Sequence, residues 1–114
     1  MVGPGSKIWT VAYDGSGTSL ELRAGVTSSP VQVKVPYEMD FAHLAFAHST
    51  PILAITQAGL LTQPPSYSYR PGSTWKPFRK VPGGAWTAGR DIGLTATSRG
   101  VRLVAADGKT NIYA

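Results

Sequence analysis

Apolar and polar positions alternate with a period of two along much of this chain. At 31–35, Val31, Val33 and Val35 fall on one side and Gln32 and Lys34 on the other, which is the pattern of a strand with one buried face. Residues 8–13 run into Asp14-Gly15-Ser16-Gly17, where glycine takes a left-handed backbone without steric cost and turns the chain into 19–23 as a hairpin. The apolar run at 52–56 and the segment 60–62 flank Gln57-Ala58-Gly59, which predicts a second tight hairpin. Strands are also expected at 92–97, 101–105 and 110–113, joined by Ser98-Arg99-Gly100 and Asp107-Gly108-Lys109.

Two stretches fit the alternation less well. Between Pro36 and His48, the residues Tyr37, Phe41, Leu44 and His48 also match a helical spacing; strand is the reading adopted, against the flanking strands. From Pro64 to Gly89 five prolines and four glycines interrupt the pattern, predicting loop around one short strand at 75–78, because proline offers no ladder donor. The whole predicts an all-β domain.

Three segments share a further regularity. Residues 9–15, 53–59 and 103–108 each follow an apolar strand with a small or polar turn, and Gly15, Gly59 and Gly108 stand at intervals of 44 and 49 residues. That period is close to the ~40–50 residues of a four-stranded propeller blade. The stretch Ser68-Tyr69-Arg70-Pro71-Gly72-Ser73-Thr74-Trp75 resembles the Asp-box of sialidase-like β-propellers, whose pattern is Ser-x-Asp-x-Gly-x-Thr-Trp. Ser68, Gly72, Thr74 and Trp75 match, and Arg70 stands where the aspartate belongs. The resemblance implies a structural hairpin on the outer part of a blade, with the tryptophan packed inside, and no catalysis. Residues 54–61 are similar to the inner hairpin of such blades, while the arginine cluster and nucleophilic tyrosine of sialidases have no counterpart that can be placed here. The expected fold is therefore β-propeller-like blades of antiparallel strands, between two and three per chain, with a β-sandwich or barrel as the alternative. A full ring takes ~4–8 blades; an architecture like that of small two-blade lectins, which oligomerise into a propeller, would supply the rest, and so would a longer chain of which this is a piece.

With 114 residues the chain fits one domain, read as 7–114, preceded at 1–6 by a tail or residues left from expression. It has no cysteine, which excludes disulfides and thiolate metal sites, and no run approaches the ~18 apolar residues of a membrane span. The net charge of +5 is uneven. Before Arg70, three basic residues meet four acidic ones; from Arg70 onward, Arg70, Lys76, Arg79, Lys80, Arg90, Arg99, Arg102 and Lys109 meet only Asp91 and Asp107. Such a field solvates a face or attracts an anionic partner.

Catalytic chemistry finds no footing. Asp14 and Asp107 adjoin glycines and suit turns, and Glu21, Glu38, Asp40 and Asp91 show no pairing of the kind acid–base hydrolysis needs. His43 and His48 lie five apart, an odd offset that puts them on opposite faces of a strand and away from a shared metal. No Gly-x-Ser-x-Gly elbow or phosphate loop occurs. No enzyme, cofactor or metal is expected. Aromatic and basic residues are the better lead: Trp9 and Trp75 suit a core, whereas Trp86 with Tyr67 or Tyr69 would stack on a ligand, and Arg70, Arg79 and Arg90 would donate hydrogen bonds to hydroxyls or acidic groups. The expected function is a non-catalytic binding module for a glycan or protein surface, acting as a homo-oligomer. The alternatives are a phage or particle assembly protein that presents edges to its own copies, and a nucleic-acid-binding domain using the basic C-terminal part.

Overall fold

A computed structural model describes residues 1–13, 15, 18–57, 65–69, 74–80, 92–97, 100–105 and 111–113. They build three antiparallel sheets, and the fold class is all-β. The first sheet is β1 (Trp9–Tyr13), β2 (Ser19–Ala24) and β3 (Val31–Lys34) in that order. The second is β4 (Met39–Ala47), β5 (Thr50–Gln57), β6 (Ser66–Tyr69) and the two-residue β7 (Lys76–Pro77). The third contains β8 (Arg79–Lys80), β9 (Ile92–Thr97), β10 (Gly100–Ala105) and β11 (Asn111–Tyr113), in the order β8-β11-β10-β9.

The second sheet is the middle layer, and the sequence of β5 explains why. Ile52, Leu53, Ala54, Ile55 and Thr56 are all fully excluded from solvent, although successive strand side chains point to opposite faces. Leu53 and Ile55 enter one core with Leu20, Leu22, Val33 and Met39, which lies between the first and second sheets. Ile52 and Ala54 enter another with Tyr67, Phe78, Val101 and Leu103, between the second and third. An unbroken apolar run is what a strand buried on both faces requires.

Within 36–48, residues 39–47 are strand, as read, and the helical look of the spacing has a cause. In β4, Ala42 and Leu44 pack on the first core while Ala47 packs on the second, so apolar residues occur on both faces and blur the period of two. β4 also carries a bulge between Met39 and Phe41. Opposite it, the fully buried Thr56 hydroxyl accepts from the Phe41 N–H at 3.3 Å and lies 3.4 Å from the Phe41 carbonyl, which satisfies polar groups the bulge takes out of the ladder. The β4–β5 reversal at His48-Ser49 was not anticipated; it contains no glycine, and His48 itself takes φ 57°.

Each of the three repeated segments enters an antiparallel hairpin: β1 with β2, β5 with β6, and β10 with β11. The repeat therefore marks one hairpin per sheet, although by chain order β1 is the first strand of its sheet, β5 the second of its own and β10 the third. Predicted 60–62 lies outside the described residues. The short strand expected at 75–78 is split at Phe78, where the chain passes from the second sheet to the third. Phe78 is 2% exposed, its N–H donates to the Pro65 carbonyl at 2.8 Å, and its ring lies 4.9 Å from that of Tyr67.

Two further contacts tie the first sheet to the second. Trp75 packs on their shared core and its Nε1 donates to the Lys34 carbonyl at 3.0 Å, and the Tyr13 hydroxyl donates to the Asp40 carbonyl. The segment before β1 folds back on it: Val2 bridges Ile8, and Met1 and Trp9 exchange backbone hydrogen bonds of 2.8 and 2.7 Å. Gly3 sits over the edge-to-face pair Trp9–Phe46, where an added Cβ would lie 2.5 Å from the indole.

Because β5 serves two cores, Ile52→Ala and Leu53→Ala should each lower unfolding free energy by about 2–5 kcal/mol, the usual range for a truncated buried aliphatic. Val31→Ala, at a 57% exposed site, should stay within about 0.5 kcal/mol. Urea midpoints at constant m-value measure all three, and a small effect at either β5 position contradicts the two-core assignment.

Candidate functional site

The residues expected to bind a ligand separate in the structure. Tyr67 is 8% exposed and its ring packs on Phe78 within the second core, so it is a structural residue, not a stacking surface. Its place in β6 opposite Ala54 puts it on the inward face, a register that local composition does not reveal. Tyr69 pairs with Ile52 at the end of β6. Arg79 is exposed in β8. Trp86, Arg70 and Arg90 lie outside the described residues. Trp9 and Trp75, expected in a core, both pack against the core between the first two sheets.

Around Arg79 the third sheet assembles a row that sequence reading missed. Arg79 pairs with Tyr113, Tyr113 with Arg102, and Arg102 with Thr95, so the four positions lie in line across β8, β11, β10 and β9. Arg102 is exposed between the buried Val101 and Leu103; its alternation with them is the one signal that marked it as outward. Thr95 and Gly93 are exposed beside it in β9. Neighbouring strands stand ~4.8 Å apart, so the two arginine backbones are separated by two spacings, roughly 10 Å. No acidic residue occurs among the described residues of this sheet. The row can present two guanidinium groups to an anionic or hydroxyl-rich ligand laid across the strands.

The remaining polar groups are built into the packing. Ser66 and Ser68 are buried; Tyr37, whose hydroxyl donates to the Ile55 carbonyl at 3.3 Å, has its phenol pushed up by burial, while hydrogen bonds from Ser66 act the other way. Burial first, and then the Asp40 carboxylate, raises the Tyr13 phenol. No three His, Asp or Glu side chains gather as a metal-binding group among the described residues. None of their helices is long and apolar enough to cross a membrane.

His43 is a histidine set toward the second core. It lies opposite Ala54 on β4, in the row that continues to Tyr67, on an edge that runs beside β9. Its Nε2 is buried without a hydrogen-bond partner among the described residues, and burial lowers its pKa from the ordinary 6.5. Desolvation of this kind disfavours the imidazolium. Compared with protein families, with curated proteins and with solved structures, the chain matches none.

The His43 environment makes stability depend on pH with a fixed sign. A histidine whose folded pKa lies below its unfolded value binds its proton more readily in the unfolded chain. Its neutral form is accommodated in full above about pH 6.5, and stability falls as pH drops from there through the folded pKa. The melting temperature should therefore decline from pH 7 toward pH 5, and His43→Leu should flatten that slope. An unchanged slope in the variant would remove His43 as the cause.

Proposed function

We propose that this chain is a non-catalytic binding module that takes a glycan or protein surface on the exposed face of its third sheet and works as a homo-oligomer. The observation that carries the reading is the in-register row of Arg79 and Arg102 on an exposed face that also carries Thr95 and Gly93, without an acidic residue among the described ones. Exposed guanidinium groups set two strands apart can donate charge-assisted hydrogen bonds to an anionic or hydroxyl-bearing ligand laid across them. Trp86, Arg70 and Arg90 are proposed to extend the surface, with the Trp86 ring stacking on the apolar face of a sugar.

Propeller-type blades are the proposed architecture. Three antiparallel sheets packed face to face support it, as do the antiparallel pairing of β6 with β7 and the packing of Trp75 against the core of the first two sheets. A second reading, a particle-assembly protein, is favoured by one specific feature, the uncharged outer edge of β1.

The test is a glycan array probed with the native chain and with Arg79→Ala/Arg102→Ala. Loss of charge-assisted hydrogen bonds worth about 1.5–3 kcal/mol each predicts at least a tenfold weaker interaction in the double variant, with the melting temperature unchanged because both side chains are exposed. Equal binding by the two proteins would remove the row from the site. Binding to nucleic acid that collapses with added salt, and no binding to glycans, would replace the reading with the electrostatic one.

A further inference from the structure

Every sheet edge presents unpaired backbone groups, and folded proteins normally blunt such edges with charge, proline, shortness or a cover. The edges of this molecule fall into two kinds. β3 lies between Pro30 and Pro36, carries Lys34, and gives its Lys34 carbonyl to Trp75. β7 is two residues long, Lys76 and Pro77, and β8 is Arg79 and Lys80. β4 and β9, the long edges of the second and third sheets, lie alongside one another, and β4 also carries Asp40. β1 is the least protected: Trp9-Thr10-Val11-Ala12-Tyr13 contains no charge and no proline, and among the described residues it is covered only at its start.

The hydrogen-bond phase of β1 shows which groups are open. Trp9 bonds to Met1 through both its N–H and its C=O, on the side away from β2. Residues two apart share that direction in a strand, so the backbone groups of Val11 and Tyr13 also point outward, while Thr10 and Ala12 face Arg23 and Glu21 of β2. Among the described residues only Met1 and Val2 cover this edge, and they reach no further than Trp9. The first sheet has three strands where the others have four. Exposed apolar side chains also border the edge, including Tyr13 at 50% and Ile8 at 50%.

We infer that β1 pairs with β1 of a second copy, antiparallel across a two-fold axis at Ala12, so that two first sheets join edge to edge. The open slot runs from Val11 to Tyr13, and β1 itself ends at Tyr13, where a second copy would otherwise meet Met1 on Trp9. The edge is thus complementary to itself, as a two-fold interface must be. Val11 and Tyr13 of the second copy exchange both backbone bonds, and so do the symmetry-related pair. Their side chains form the β-branched–aromatic cross-strand contact that favours sheet pairing. This inference rests on the proposed self-association and specifies its geometry; it does not depend on the arginine row.

The chain's lack of cysteine gives a direct test. Ala12 falls opposite its own copy as a non-hydrogen-bonded pair, whose Cα atoms stand about 4.5 Å apart, within the range a disulfide spans. Under mild oxidation Ala12→Cys should become a covalent dimer of about twice 12.1 kDa, whereas Thr10→Cys, displaced from its own copy by two residues on each strand, should stay largely uncrosslinked. Without oxidant, light scattering should give the dimer mass for the native chain. Ala12→Lys, at an exposed position, should give the monomer with an unchanged circular dichroism spectrum, because it sets like charges directly opposite. A native monomer across a tenfold concentration range, equal cross-linking at 10 and 12, or a dimer that survives Ala12→Lys would each overturn the inference. Glycan binding by Ala12→Lys separates the two proposals, since loss of the dimer leaves the Arg79–Arg102 face in place.

Discussion

Burial of one strand on both of its faces organises this molecule. From Ile52 to Thr56 every side chain of β5 is withdrawn from water, and because neighbouring positions point in opposite directions, each residue commits to one of two cores. The first sheet covers Leu53 and Ile55, and the third covers Ile52 and Ala54. Neither outer sheet meets the other's core among the described residues, so their placement is referred to β5 and its neighbours. Apolar burial is worth roughly 25 cal/mol per Å², and concentrating it in a doubly covered strand makes that strand the costliest place to introduce a cavity.

The same constraint explains where polar chemistry settles. Groups caught near the middle layer are paired or have their charged form disfavoured: Thr56 serves the β4 bulge, Tyr37 bonds to Ile55 and Ser66, and burial lowers the pKa of His43. The outer layers have one face free. On the third sheet that face carries Arg79 and Arg102, and on the first it carries Thr10, Ala12, Gln32 and Lys34. Among the described residues, the surface that the two cores leave free is thus the exposed face of each outer sheet and the sheet edges.

Much of the strand pattern was legible in the residues. Alternation at 31–35 and the turn glycine Gly15 place β3 and the β1–β2 hairpin, and the run at 52–56 marks β5. What it could not supply was pairing. The helical spacing of Tyr37, Phe41, Leu44 and His48 arose from a strand with apolar side chains on both faces. Tyr67 read as a surface aromatic because prolines and arginines surround it in sequence, yet its partner in register is Ala54, which faces the second core. Arg102 joins Arg79 only through β11, a relation set by tertiary register across three strands. Local composition reports whether a residue alternates; it carries no information on which distant strand will lie beside it.

Native-state hydrogen exchange followed residue by residue tests the central role of β5 most directly. If the strand joins two cores, the amides of Ile52 to Thr56 open only when the whole molecule unfolds, and their exchange free energies equal the global value measured by denaturant. Exchange from β5 through a cheaper, local opening, while the amides of β2 or β10 remain protected to the global limit, would contradict the account.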